Sequence, residues 1–107
     1  MNGKETQKKL KNFQKRWNKK CDEIKNNPMP KEECFSVRNR FNDEILDLIM
    51  YTPRYEQNEE FQIIINTTRT NVEHALSISY SKWKDKHPGF WENVSKNLKK
   101  ITFKPFG

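Results

Sequence analysis

Cys21, Cys34, His74 and His87 are the side chains in this chain best suited to hold a metal ion, and Arg69 with His74 is the pair best suited to act on a phosphate ester. A tetrahedral zinc site is normally built from ligand pairs of close spacing, because two donors on one turn fix half of the geometry. Thirteen positions separate Cys21 from Cys34, and thirteen separate His74 from His87, so no metal site and no cofactor is expected. The two cysteines stand where they would face each other across a hairpin of two helices, and in a reducing compartment they are expected as free thiols rather than a disulfide. With three glycines in the whole chain there is no Gly-rich phosphate loop, and no Ser-His-Asp arrangement can be placed.

One short stretch carries sharper chemistry. Arg69-Thr70-Asn71-Val72-Glu73-His74 resembles the Arg-x4-His motif of HEPN-type ribonucleases. The resemblance covers six residues and implies RNA cleavage across a dimer interface, with His74 moving a proton and Arg69 on the phosphate. Thr70 stands where that family often carries Asn or Asp. Five residues turn a helix through about 140°, so the simpler expectation is two solvent-facing polar side chains and no enzymatic activity.

The elements that position these residues are helical. Leu10, Phe13, Trp17, Cys21 and Ile24 recur every three or four positions, which predicts an amphipathic helix over about 4–26. Pro28 and Pro30 end it, and Pro30 is placed to open the next helix at its first position, with Glu32 and Glu33 at the positive end of the dipole. A second helix over about 31–51 turns Cys34, Val37, Phe41, Ile45 and Leu48 inward until Thr52-Pro53. A third runs over about 57–86 with Phe61, Ile64, Ile65, Thr68, Val72, Ala75, Leu76, Ser79 and Trp83 on one face. Its β-branched stretch from Ile63 to Thr70 leaves a strand or a break as the alternative. His87-Pro88-Gly89 marks a boundary before a fourth helix over about 90–101, with Trp91, Val94, Leu98 and Ile101 inward. Phe103 and Phe106 lie in a short tail, where they pack on the open end of the bundle or dock another protein. The expected fold is all-α: one domain over 1–107, a small antiparallel bundle of about four helices with short tails at 1–3 and 102–107.

Bulk composition narrows the function classes. Apolar residues make up 33% of 107 positions, below the usual range of about 45–50%, so the core is small and thirteen aromatic rings must supply much of it. No run of apolar residues approaches the roughly 18 that a membrane span needs, and no apolar signal core follows Met1-Asn2-Gly3-Lys4. A cytoplasmic protein is expected.

The net charge of +7 is unevenly spread: residues 1–31 carry +7, 32–60 carry −5, 61–81 balance, and 82–107 carry +5. Lys4, Lys8, Lys11, Lys15 and Lys19 share one stripe opposite the apolar face of the first helix, with Lys9, Arg16 and Lys20 to one side. In an up-down-up-down bundle the first and fourth helices are neighbours, so Lys96, Lys99 and Lys100 would extend the same basic surface toward phosphates. The plainer alternative is a solvated face balanced by the acidic second helix. Phe13 and Trp17 interleave with the lysines but belong to the core face, not to a base-stacking platform.

Five apolar residues fall off the main faces: Phe35, Leu46 and Met50 on the second helix, and Ile63 and Ile78 on the third. A chain this poor in apolar residues is expected to bury them, as central helices touching two neighbours; the alternative is a homodimer or partner interface. Taken together, the residues point to a non-enzymatic basic helical regulator that binds an acidic partner, with nucleic acid or a nucleic-acid-handling protein first. A stoichiometric protein-binding inhibitor or immunity-type factor is second, and a HEPN-like ribonuclease using Arg69 and His74 third.

Overall fold

The computed structural model describes residues 3–87, and these form an all-helical structure. Three α-helices follow one another: α1 (Gly3–Lys25), α2 (Lys31–Met50) and α3 (Glu59–Lys86), with one 3-10 turn (Arg54–Glu56) between the second and third. Among the described residues there is no strand. The breaks fall at the prolines and at His87, as the spacing predicts. The expected helix over 90–101, with Trp91, Val94, Leu98 and Ile101, and the tail carrying Phe103 and Phe106 lie outside the described residues. The described bundle therefore has three helices where about four were expected. No described helix is long and apolar enough to cross a membrane.

Local chemistry accounts for the helix ends. Pro30 is the N-cap of α2, in extended conformation with φ −68° and ψ 169°, and not its first helical residue. Its ring therefore holds the chain extended just before the helix, and Glu32 and Glu33 fill the first turn. Asn58 caps α3, its side chain accepting from the Phe61 N–H at 3.0 Å, a bond worth about 1 kcal/mol.

The β-branched stretch of α3 is continuous helix, so neither the strand nor the break occurs. Thr68 and Thr70 donate their hydroxyls to the carbonyls of Ile64 and Asn66, at 2.7 and 3.0 Å. This back-bonding satisfies both hydroxyls within the helix. Burial follows a helical period as well: Phe61, Ile65, Thr68 and Val72 are inside while Ile63 is out.

Side-chain pairs show how the helices run. Asn71 donates to Asn18 at 3.2 Å, Ser79 to the Asn27 carbonyl at 2.5 Å, and Lys82 to the Lys25 carbonyl at 2.5 Å. From Asn18–Asn71 to Lys25–Lys82 the partner numbers rise together, so α1 and α3 are parallel. Cys34 lies against the Leu76 carbonyl and Arg38 against Glu73, so α2 is antiparallel to α3. The face of α3 toward its neighbours includes Thr68, Val72, Ala75 and Ser79, all fully buried. Their small volumes let α1 lie close along α3.

The core is one cluster. Leu10, Phe13, Trp17, Cys21 and Ile24 of α1 meet Cys34, Phe41 and Ile45 of α2 and the inner face of α3. Phe41 is the hinge of the α1–α2 contact: it stacks on Phe13 at 5.6 Å and receives Trp17 edge-on at 4.8 Å. Val37, Leu48 and Ile64 pack against the cluster half-buried. Met29 is also buried; it sits in the proline-rich connection, where no periodicity could mark it.

Candidate functional site

Lys4, Lys8, Lys11, Lys15 and Lys19 are all exposed on α1, on the side away from Leu10, Phe13, Trp17, Cys21 and Ile24. None of the five takes part in an ion pair among the described residues. Two ion pairs among the described residues use arginines: Arg16 to Glu44 at 3.0 Å, and Arg38 to Glu73 at 2.7 Å with a second bond at 2.9 Å. The two hydrogen bonds that Arg38 donates to the Glu73 carboxylate raise the Arg38 pKa further above its already high value. Lys20 turns inward over the Trp17 ring, 4.6 Å from its centre. Lys9 lines a cleft between α1 and α2. Lys96, Lys99 and Lys100 lie outside the described residues, so the cationic face on α1 stands here by itself.

Glu44 organises the α1–α2 seam, and sequence reasoning missed it. Its carboxylate accepts from Arg16 and, at 2.5 Å, from the Trp17 indole N–H. A buried Trp needs a partner for its one donor, and Glu44 stands beside Ile45 at the edge of the apolar face. That need was the only signal the residues carried. Glu56 is a second omission: it is buried and accepts a hydrogen bond from the Thr6 hydroxyl.

The surplus apolar residues are not interior. Phe35, Leu46 and Met50 are 58%, 57% and 74% exposed, and Ile63 is 55% exposed; only Ile78 is half-buried. The expectation that these helices are central fails for α2, because α2 meets both neighbours with one face. Phe35, Leu46, Met50 and the partly covered Ile49 lie on its outward side. Tyr51 and Tyr55 beyond the helix end are exposed too.

The candidate chemical groups do not assemble. Cys21 and Cys34 are free and buried, and burial pushes both thiols above their usual pKa. Cys34 donates weakly toward the Met29 and Leu76 carbonyls at 3.8 and 3.9 Å. His87 stacks on Trp83 with ring centres 4.4 Å apart, its Nδ1 2.9 Å from the Trp83 carbonyl. Arg69 and His74 are both exposed on unbroken helix, about 140° apart around its axis. Among the described residues no three His, Cys, Asp or Glu side chains come together to hold a metal. The α1–α2 cleft, about 410 Å³, is walled by Lys9, Asn12, Arg16, Glu44 and Asp47 over Phe13 and Leu48, a set without a described cysteine or histidine.

Comparison of the chain with protein-family models, with characterised proteins and with solved structures finds no match.

Proposed function

We propose that this chain is a non-enzymatic helical regulator that docks an acidic partner, nucleic acid or a complex that handles it, through the lysine face of α1. One observation carries the reading: Lys4, Lys8, Lys11, Lys15 and Lys19 are exposed and unpaired among the described residues, although an acidic helix lies alongside. A face neutralised within its own fold would have set those charges against α2. Instead Glu44 takes Arg16 and Trp17, and the stripe keeps its full field for a polyanion. Lys96, Lys99 and Lys100 add to that charge, and the cytoplasm is the compartment in which such a partner is met.

The experiment is purification of the full chain from cells with and without nuclease treatment, followed by identification of what accompanies it. Nucleic acid, or a protein that handles it, is expected in the untreated sample. It should be lost when Lys8, Lys11, Lys15 and Lys19 are replaced by Gln. An eluate free of both overturns the reading.

The exposed apolar side of α2 favours a second reading, a stoichiometric protein-binding inhibitor or immunity-type factor, or a homodimer, held through Phe35, Leu46 and Met50. In that case Leu46→Asp abolishes partner binding or the dimer while the lysine variant leaves it intact.

A further inference from the structure

We infer that the lysine face of α1 takes a nucleic-acid duplex in preference to a single strand, and takes it without regard to base sequence. The inference rests on the proposed function and names the class of ligand for that same face.

Proteins that hold single strands combine a cationic track with aromatic faces on which bases stack. In the sequence α1 offers both, since Phe13 and Trp17 interleave with the lysines. In the fold these rings are each 1% exposed. Phe13 is stacked on Phe41, and Trp17 is held between the edge contact to Phe41, the Glu44 carboxylate and the Lys20 ammonium. The well-exposed rings among the described residues are Phe35, Tyr51 and Tyr55, on α2 and the turn after it, within the segment that carries −5. They lie off the stripe of Lys4, Lys8, Lys11, Lys15 and Lys19: Tyr51 lines the α1–α2 cleft with Lys9, Arg16, Glu44 and Asp47, and Tyr55 lines a cleft with Gln7, Glu56 and Glu60. The face therefore supplies charge and no platform.

Binding by charge alone follows charge density. A duplex carries one phosphate per roughly 1.7 Å of axis, and one strand per roughly 3.4 Å. Lys4 to Lys19 spans fifteen residues of one helix, about 22 Å, a rigid row suited to a rigid polyanion. A flexible strand must be ordered along it with no stacking in return.

The same face lacks the means to read bases. Guanine is read by a forked arginine and adenine by an Asn or Gln amide. Arg16, the one arginine on α1, is held by Glu44. Asn18 accepts from Asn71, Asn12 and Gln7 line clefts on either flank, and Gln14 is half-buried. The stripe of Lys4, Lys8, Lys11, Lys15 and Lys19 itself presents ammonium groups, which are point charges.

The test uses the full chain and fluorescence anisotropy, with a short labelled DNA duplex of mixed sequence and each of its separated strands. The duplex is expected to bind at least about tenfold more tightly than either strand. A log–log salt slope of about −4 is expected, falling by about three to four when Lys8, Lys11, Lys15 and Lys19 become Gln. Duplexes of unrelated sequence should agree within about threefold. A strand bound as tightly as the duplex, or a strong sequence dependence, overturns the inference and leaves the proposed function standing. Binding to neither form also overturns it. Whether the broader reading falls too is then decided by the nuclease-dependent purification, since an acidic protein partner would still appear there.

Discussion

α1 and α2 are both amphipathic helices in one small bundle, yet they treat their apolar residues in opposite ways. Every apolar side chain of α1 that the structure describes is buried, from Leu10 to Ile24, and the side opposite carries the lysine stripe. α2 buries Cys34, Phe41 and Ile45, half-covers Val37 and Leu48, and leaves Phe35, Leu46 and Met50 out. α1 commits its apolar residues to the fold alone. The outward side of α2 contributes nothing to the described core, so those residues answer to something other than folding within it. A lysine face and an apolar face on the same small molecule thus point to two different kinds of contact.

The largest expected effect sets neighbouring residues of α2 against each other. Ile45→Asp puts a charge into the core and should cost several kcal/mol, on the order of the stability of a domain this size, so the protein unfolds or fails to express. Leu46→Asp, one residue on, should leave a cooperative melt within about 0.5 kcal/mol of the parent. Size exclusion with a melting curve reads both. Unfolding of Leu46→Asp would erase the contrast between the two helices.

Next in size is the seam between them. Trp17→Phe shrinks the buried ring and removes the indole N–H, leaving Glu44 with Arg16 as its partner, and urea denaturation should show a loss of about 1–3 kcal/mol. An unchanged midpoint would mean that Glu44 is solvated and the seam is held by Phe41 alone.

The Arg38–Glu73 pair on α2 and α3 is about half exposed on both sides. A double-mutant cycle to Ala should return a coupling of about 0.5–1 kcal/mol, at the upper end for a surface pair because the contact is two-pronged. It should shrink as salt is raised.

The buried thiols give a pH-dependent check on the core that both helices share. Burial raises both cysteines above an ordinary value near 9.0, so the folded state keeps its protons longer than the unfolded one. Their contribution is fully present below pH 9 and is lost as pH rises through the raised folded-state values. Native protein should accordingly react with a thiol reagent far more slowly than protein in urea. Fast labelling at neutral pH would show an open core.

The smallest expected effect belongs to the lysine face. Replacing Lys8, Lys11, Lys15 and Lys19 by Gln should shift stability by no more than about 0.5 kcal/mol, because each is exposed and unpaired. A larger loss would mean that the lysines serve the fold after all.

Much of the fold is legible in the residues themselves. Spacing of three and four brings out the inner faces of all three helices, because a helix must repeat near that period to meet a neighbour. Pro28, Pro30 and Pro53 mark the breaks, because proline lacks the N–H that a continuing helix needs. The lysine stripe is legible for the same reason, as the complement of the strictest apolar face in the chain. What periodicity alone could not settle is which helix is central. Only tertiary packing brings α1 alongside α3 on the small residues Thr68, Ala75 and Ser79, which leaves α2 touching its neighbours from one side and its extra apolar residues outside. The polar choices are likewise decided in three dimensions: Glu44 under Trp17, Glu56 against Thr6, and Phe13 and Trp17 withdrawn from the cationic face. Each depends on a partner twenty-four or more positions away, beyond the reach of any local pattern.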